Sequence, residues 1–307
     1  MNLETEILKV RKIKENSLKA YLIILKKLNN NKEVESLNYL KEKEDIIKKI
    51  KEKALTTQRN YLGAILVALP ILKNSKDLLD YYKLELEKVN EEYQKIIGSH
   101  EKSDNQKTNW STLSELKEIF NKYKKQINKD NYKLKDKLNS KEFNFLTNYV
   151  IVALYTLMPP TRLDYAPMSI IKNDSEENDK GNYLVNKSRN KKHFIINEYK
   201  SSKTYGKIRI NIQSELNSII NLYLKFHKDT DSFLLNSRGE PLSANGLSKL
   251  LTSSFSRYSN NKKITLNLLR HVYISENVKL TKDTDESKLA NQMMHSGATQ
   301  QMYIKKD

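Results

Sequence analysis

The stretch KEFNFLTNYVIVALYTLMPPTRLDY (141–165) decides the fold class. From Lys141 to Met158 apolar side chains fall on nearly every side of a helix, which is the pattern of a helix buried all round. Pro159 and Pro160 stop it, because proline disfavours helical backbone in the residue before it. The pattern then changes to alternation: NYLVN (182–186), HFIINEY (193–199) and KIRINI (207–212) read as short strands, with KSSKTYG (200–206) as the hairpin between the last two. Upstream of the buried helix, TLSELKEIFNKYKKQI predicts another helix behind Ser111, and Ser140 is the expected cap of the buried one. Downstream, SELNSIINLYLKFH (214–227) is helical, SFLLNSRGEPLSANGLSKLL (232–251) is a strand, turn and helix, and short helices are expected near 266–278, 286–294 and 299–305. The fold class is therefore mainly α with a small β-sheet, α+β.

The first 98 residues read as helices throughout. Ser17 is the expected cap of LKAYLIILKKL, Thr56 or Thr57 that of QRNYLGAILVAL, and Ser75 that of the long KDLLDYYKLELEKVNEEYQKII. Residues 99–110 lose all hydrophobic periodicity and predict a linker. Three segments follow: an all-α domain at 1–98, a linker at 99–110 and an α+β domain at 111–307.

Of 307 residues, 55 are Lys or Arg and 37 are Asp or Glu, a formal charge of +18, with most of the excess in the second domain. A balance this basic points to a polyanionic partner. The absence of Cys excludes a disulfide framework, a thiolate zinc site and a cysteine nucleophile. No apolar run is long enough to span a bilayer, and the N-terminus lacks the apolar core of a signal peptide, so a cytoplasmic or nuclear location without membrane attachment is expected.

Four pieces of the second domain stand out in order: PPTRLDY (159–165), SKTYGKIRINI (202–212), LNLLRHVYIS (266–275) and MMHSGATQQMYIKK (293–306). Together they resemble the tyrosine recombinase (integrase) family, whose pattern is an Arg after a buried helix, a Lys on a β-hairpin, a His-x-x-Arg-His helix, a His or Trp, and a Tyr near the C-terminus. The matching positions are Arg162, Lys203, Arg270 with His271, His295 and Tyr303. The details around PPTRLDY and YKSSKTYG look most like recombinases of large DNA viruses, virophages and related mobile elements. The resemblance implies that 1–98 is a core-binding domain and 111–307 a catalytic domain. It also implies a double-stranded DNA partner, with a tetramer on paired sites and a monomer possible off DNA.

The chemistry that the resemblance implies explains these residue types. A tyrosine hydroxyl attacking a DNA phosphodiester builds negative charge on phosphorus, which fixed cations must offset. Guanidinium stays protonated and matches phosphate oxygens bidentately, which suits Arg162 and Arg270 to a clamp. Lys203 would protonate the leaving 5′ oxygen, His295 would hydrogen-bond the scissile phosphate, and Tyr303 would carry the 3′-phosphotyrosine whose bond energy reseals the strand. No metal or other cofactor is implied, in keeping with the absence of a GxxxxGK[ST] loop and an HExxH pair.

The pattern departs from the family in places. Asn267 stands where the family has His, and amide cannot act as a base. The interval from His295 to Tyr303 is one residue shorter than usual, which turns a helical position by about 100°. Tyr165 replaces an acidic residue, leaving Asp164 to brace Arg162 or the histidines. Ile304 to Asp307 form a shorter tail than many recombinases dock on a neighbouring subunit.

Other readings stand beside these. His271 is a buried structural His supporting the site, and Lys200 rivals Lys203. Trp110 anchors the first helix of the second domain. Lys187, Arg189, Lys191, Lys192, Lys200, Lys207 and Arg209, with Glu198 the one acid among them, make a phosphate-tracking surface. A type IB topoisomerase would use nearly the same residues, and a degenerate sequence-specific DNA-binding protein would account for Asn267 and the altered Tyr spacing together.

Overall fold

The computed structural model describes residues 2–227, 230–278, 290, 293, 294 and 296–306. The chain divides after Ser99 into two compact units, each with its own hydrophobic core.

The first unit is helical: α1 (Leu3–Val10), α2 (Glu15–Leu28), α3 (Lys43–Lys51), α4 (Leu55–Ala68) and α5 (Lys76–Gly98). Its core gathers Ile7, Leu25, Leu40, Ile50, Ile65, Leu69 and Tyr82, whose hydroxyl donates to the Leu40 carbonyl at 2.9 Å. Two expected caps are displaced. Helix α2 starts before Ser17, with Lys14 at the cap, and α4 starts before Thr56, with Ala54 at the cap and no side-chain bond at either. Glu15 in the first turn of α2 suits the positive end of the helix and pairs with Lys19 at 2.5 Å, while Leu55 packs on the core; these favour the earlier starts.

The second unit opens where the linker was expected. Asp104–Asn109 form α6, closed by a reciprocal Ser103–Gln106 capping box that polar composition alone does not separate from loop. Trp110 follows and packs against the core of this unit, with the Lys102 ammonium 4.5 Å from its ring. Helix α7 (Leu113–Lys129) is capped by Thr112 with Glu115, and α8 (Ser140–Thr156) by Asn139 with Glu142. In each case the cap lies one residue from the expected serine, because only that register puts an acid at the third helical position.

Helix α8 is the centre of the second unit. Ten consecutive residues, Leu146–Tyr155, are buried between α7, α10 (Ser214–Lys225) and α11 (Ala244–Ser256). Each large aliphatic side chain so enclosed contributes about 1.5–3 kcal/mol. The helix ends at Thr156, just ahead of the prolines.

Beside it lies a four-stranded sheet in the order β1 (Met168–Ile171), β2 (Asn182–Ser188), β3 (Lys191–Ile196), β4 (Ile208–Asn211). The strand pairs β2·β3 and β3·β4 are antiparallel, as the alternation predicts, while β1, too short to alternate visibly, pairs parallel with β2. Leu184, Phe194, Ile196, Ile208 and Ile210 face the helices. Between β3 and β4 the expected hairpin tip is one turn of helix, α9 (Ser202–Tyr205), ended by Gly206 at φ 67°, a value that side chains with a Cβ rarely adopt. In place of the strand expected near 232–235, Ser232 bridges to Ser169 and Leu235 to Pro241 as isolated pairs. Two further helices complete the described part, α12 (Leu266–Asn277) and α13 (Gly297–Gln301). The expected helix at 286–294 lies almost entirely outside the described residues. No helix among the described residues is long and apolar enough to cross a membrane.

Candidate active site

The turn after α8 fixes Arg162 from both sides. The Tyr155 hydroxyl donates to its carbonyl at 2.7 Å, and its own N–H donates to Asp164 Oδ2 at 3.1 Å. Asp164 thus braces Arg162 through the main chain. Burial raises the Asp164 pKa above the usual carboxylate value, against the Arg162 N–H bond and the charges of Arg162 and Arg270. Asn182, at the start of β2, donates to the Asp164 carbonyl at 3.1 Å and ties the turn to the sheet. Tyr165, in the place of the expected acid, is buried edge-on against Tyr155. The half-buried Arg162 side chain donates through Nη1 to the Met294 carbonyl at 3.3 Å.

Helix α12 starts at a Thr265 cap and carries Arg270 in its second turn. Arg270 is 1% exposed. Its Nη1 donates to the Pro160 carbonyl at 2.6 Å and Nη2 to the Met293 carbonyl at 3.3 Å, while Nε is buried with no hydrogen-bond partner among the described residues. The guanidinium lies 5.0 Å from the centroid of the Tyr303 ring. Burial pulls its pKa down; the Tyr303 side chain and Asp164 oppose that shift, and Arg162 adds to it. Asn267, one turn earlier on α12, is exposed.

The next residue, His271, is held against the same tyrosine. Its Nδ1 lies 2.7 Å from the Tyr303 carbonyl oxygen, and the two rings are 4.8 Å apart. Burial lowers the His271 pKa to about 4, so the ring is neutral at pH 7, and because a carbonyl only accepts, the proton sits on Nδ1. Ser275 also donates to the Tyr303 carbonyl at 3.4 Å and receives the Lys305 N–H at 2.7 Å.

Tyr303 was expected within a helix over 299–305. Helix α13, capped by Ser296, ends at Gln301, and Tyr303 follows in a turn. The early stop places its side chain by tertiary ties instead of helical phase. The Lys306 N–H donates to the His100 carbonyl at 2.9 Å, and His100 Nδ1 meets the Ile304 carbonyl at 3.2 Å, so the last residues are strapped to the beginning of the same unit. Ile274, Val278, Met293 and Ile304 form the apolar seat of the ring.

Lys203 is exposed on α9. Two residues before it, Ser201 donates to the Met294 carbonyl at 2.9 Å, the same oxygen that Arg162 uses, and the Tyr199 hydroxyl closes the 199–206 turn on the Gly206 carbonyl at 2.9 Å. Met294 itself has φ 57°, a left-handed conformation uncommon for its type. Arg162 and the Lys203 turn therefore meet at the Met294 carbonyl and Arg270 at that of Met293, while Tyr303 packs in the cluster that holds Met293 and is met by Arg270 and His271, across up to 141 residues of chain. His295 lies outside the described residues.

The expected phosphate-tracking surface is divided. Lys187, Arg189, Lys191 and Lys200 are exposed. Lys192 is a correction: 6% exposed, it donates to the Ser188 and Arg189 carbonyls at 3.1 and 3.0 Å and to Asn221 Oδ1 at 2.6 Å, so its ammonium braces the β2–β3 turn rather than facing a ligand. Lys207 pairs with Glu177 at 2.5 Å and Arg209 with Asp174 at 2.8 Å, both acids coming from the β1–β2 connection. Asp174 also meets the buried His193 at 2.7 Å.

XerA recombinase is a similar solved structure. Its crystal structure matches at a TM-score of 0.43 and 12% identity, over 99% of this chain and 93% of that one. No family model matches the chain, and no curated protein does.

Sequence reasoning missed the Met293 and Met294 carbonyls, Pro160 and Ser201 as parts of this site. Backbone acceptors leave no mark in a sequence. The serine of KSSKTYG was visible, but its partner lies 93 residues away.

Proposed function

We propose that the chain is a tyrosine recombinase that cleaves and rejoins duplex DNA through a 3′-phosphotyrosine on Tyr303. The observation that carries this reading is the convergence of Arg162, the Lys203 turn and Arg270 on Met293–Met294, with the Tyr303 ring against the Arg270 guanidinium. Arg162, half-exposed, is the first phosphate ligand, and Arg270 adds the second fork by exchanging its carbonyl bonds for phosphate oxygens. Tyr303 is the nucleophile: its oxygen bonds to phosphorus as the bond from phosphorus to the 5′ oxygen breaks, its own proton leaves to solvent, and the neighbouring Arg270 guanidinium offsets the negative charge that builds on the phosphate oxygens. Lys203, exposed on its turn, is the general acid, with Lys200 its rival on the same loop. His295 and Asn267 assist at the phosphate. His271 positions Tyr303 through its carbonyl. Lys187, Arg189, Lys191 and Lys200 track the DNA backbone, joined by Arg209 once its exposed ion pair with Asp174 opens and by Lys207 where it exchanges Glu177 for a phosphate. The first unit serves as the core-binding domain, and the protein acts as a tetramer on two paired sites.

The burial of Arg270 favours one second reading, a protein that binds a defined DNA site without cutting it. Incubation with supercoiled DNA and with paired duplex sites from its own genetic element separates the readings. Strand exchange that is lost in Arg162→Gln supports the recombinase. Relaxation without site preference points to a topoisomerase, and tight site-specific binding with intact strands supports the binding-only reading.

A further inference from the structure

At the far end of β3 from the Lys203 turn, the β2–β3 tip lies over α10 and leaves an open cleft of about 790 Å³. Its polar lining is Lys133, Arg189, Asn190, Ser218, Asn221 and Lys225, without a carboxylate among these residues. The three cations come from three separate parts of the chain: the turn after α7, the strand tip and the end of α10.

The frame around them is fixed by hydrogen bonds. The Arg189 carbonyl accepts from Asn217 at 2.9 Å, Asn221 at 2.8 Å and the Lys192 ammonium at 3.0 Å. The Lys225 ammonium donates to the carbonyls of Lys133 and Lys135 at 2.9 and 2.7 Å, which leaves one of its three protons for another acceptor. Like charges gathered without an acid repel one another. Buried Lys192 registers this, its pKa lowered first by burial and then by Arg189. Such an arrangement is stabilised by an anion with several oxygens spread over the cleft.

We propose that this cleft binds phosphate oxyanions, as a site separate from that of Arg162 and Arg270. Arg189 offers a planar fork, Lys133 and Lys225 point charges, and Asn190, Ser218 and Asn221 neutral polar groups around the same space. The shared chemistry is a phosphate ester or anhydride, and its source is either a DNA backbone passing the strand tip or a free small molecule.

The test is isothermal titration of the full chain with inorganic pyrophosphate in metal-free buffer. Binding is expected, weakened about tenfold for each cation removed in Lys133→Gln/Arg189→Gln and retained in Arg162→Gln. Lys133 and Arg189 are exposed, so the double variant keeps its fold, which a urea melt checks. Lys117→Gln/Lys249→Gln removes the same charge from exposed positions outside the cleft and is expected to leave pyrophosphate binding within about twofold of wild type. Displacement of bound pyrophosphate by duplex DNA identifies the DNA backbone as the source, whereas simultaneous binding identifies a small phosphate compound. Absence of pyrophosphate binding to the wild type overturns the proposal. So does binding that survives in Lys133→Gln/Arg189→Gln, or that is lost equally in Lys117→Gln/Lys249→Gln or in Arg162→Gln. These outcomes do not depend on whether Tyr303 cuts DNA.

Discussion

Replacing Arg270 by Lys keeps the charge and removes the fork. The guanidinium reaches two carbonyls that belong to distant parts of the chain, Pro160 at 2.6 Å and Met293 at 3.3 Å, and lies across the Tyr303 ring at 5.0 Å. A hydrogen bond from a charged donor contributes about 1.5–3 kcal/mol, and a cation over an aromatic ring about 0.5–2 kcal/mol. A single ammonium with a shorter reach than the guanidinium fork keeps one carbonyl at most, and it is more strongly hydrated, so its burial costs more. Arg270→Lys is therefore expected to destabilise the second unit by about 2–4 kcal/mol. Arg162→Lys, which loses one 3.3 Å bond at a half-exposed position, is expected to cost less than about 1 kcal/mol.

The assay is urea unfolding of the full chain followed by tryptophan fluorescence. Trp110 is the only Trp and packs on the core of the second unit, so the signal reads that unit alone. With a slope of about 2–3 kcal/mol per molar urea, the Arg270→Lys midpoint should fall by roughly 1 M or more. A midpoint within about 0.2 M of wild type, or a larger loss in Arg162→Lys, would refute the claim that Arg270 joins the 160 and 293 segments.

Three further outcomes follow from the same geometry. The folded-state pKa of His271 is lowered to about 4 from an ordinary 6.5, so between those values the unfolded chain binds the extra proton. Stability is then complete above pH 6.5 and falls by up to about 3 kcal/mol as pH drops towards 4; His271→Gln should flatten that slope, and an unchanged slope would exclude His271 as its source. Lys192→Met leaves three acceptors without their buried donor and should cost about 2–4 kcal/mol by the Trp110 assay, while exposed Lys191→Met should change stability by less than about 0.5 kcal/mol. In DNA titrations Lys191→Met should lower the salt dependence by about one counterion, which an unaltered slope against salt would contradict.

The α+β class was legible because α8 announces itself: a helix with no polar face must be a core helix, and the two prolines mark where the chain turns out of it. Arg162, Arg270 and Tyr303 stand out in order in the sequence; the structure brings the two arginines to the Met294 and Met293 carbonyls and sets Arg270 across the Tyr303 ring. The state of Arg270 was not legible. Its two acceptors are main-chain oxygens 110 and 23 residues away, and no sequence pattern encodes a carbonyl. Lys192 was misread for a related reason: a lysine between Lys191 and His193 looks like one more surface charge until Asn221, 29 residues on, is folded beside it. The displaced caps at Thr112 and Asn139 show the opposite case. There the deciding residues, Glu115 and Glu142, were in plain sight three positions downstream, and the capping box outweighs a serine on its own.

The central claim is that Tyr303 attacks DNA. The direct measurement is to incubate the chain with labelled duplex from its own genetic element, quench with SDS, digest, and find the modified peptide by mass spectrometry. The account predicts a nucleotide joined to Tyr303 through a 3′ phosphate, with no adduct in Tyr303→Phe. DNA bound at a defined site with no adduct, or an adduct that persists on another tyrosine in Tyr303→Phe, would contradict it.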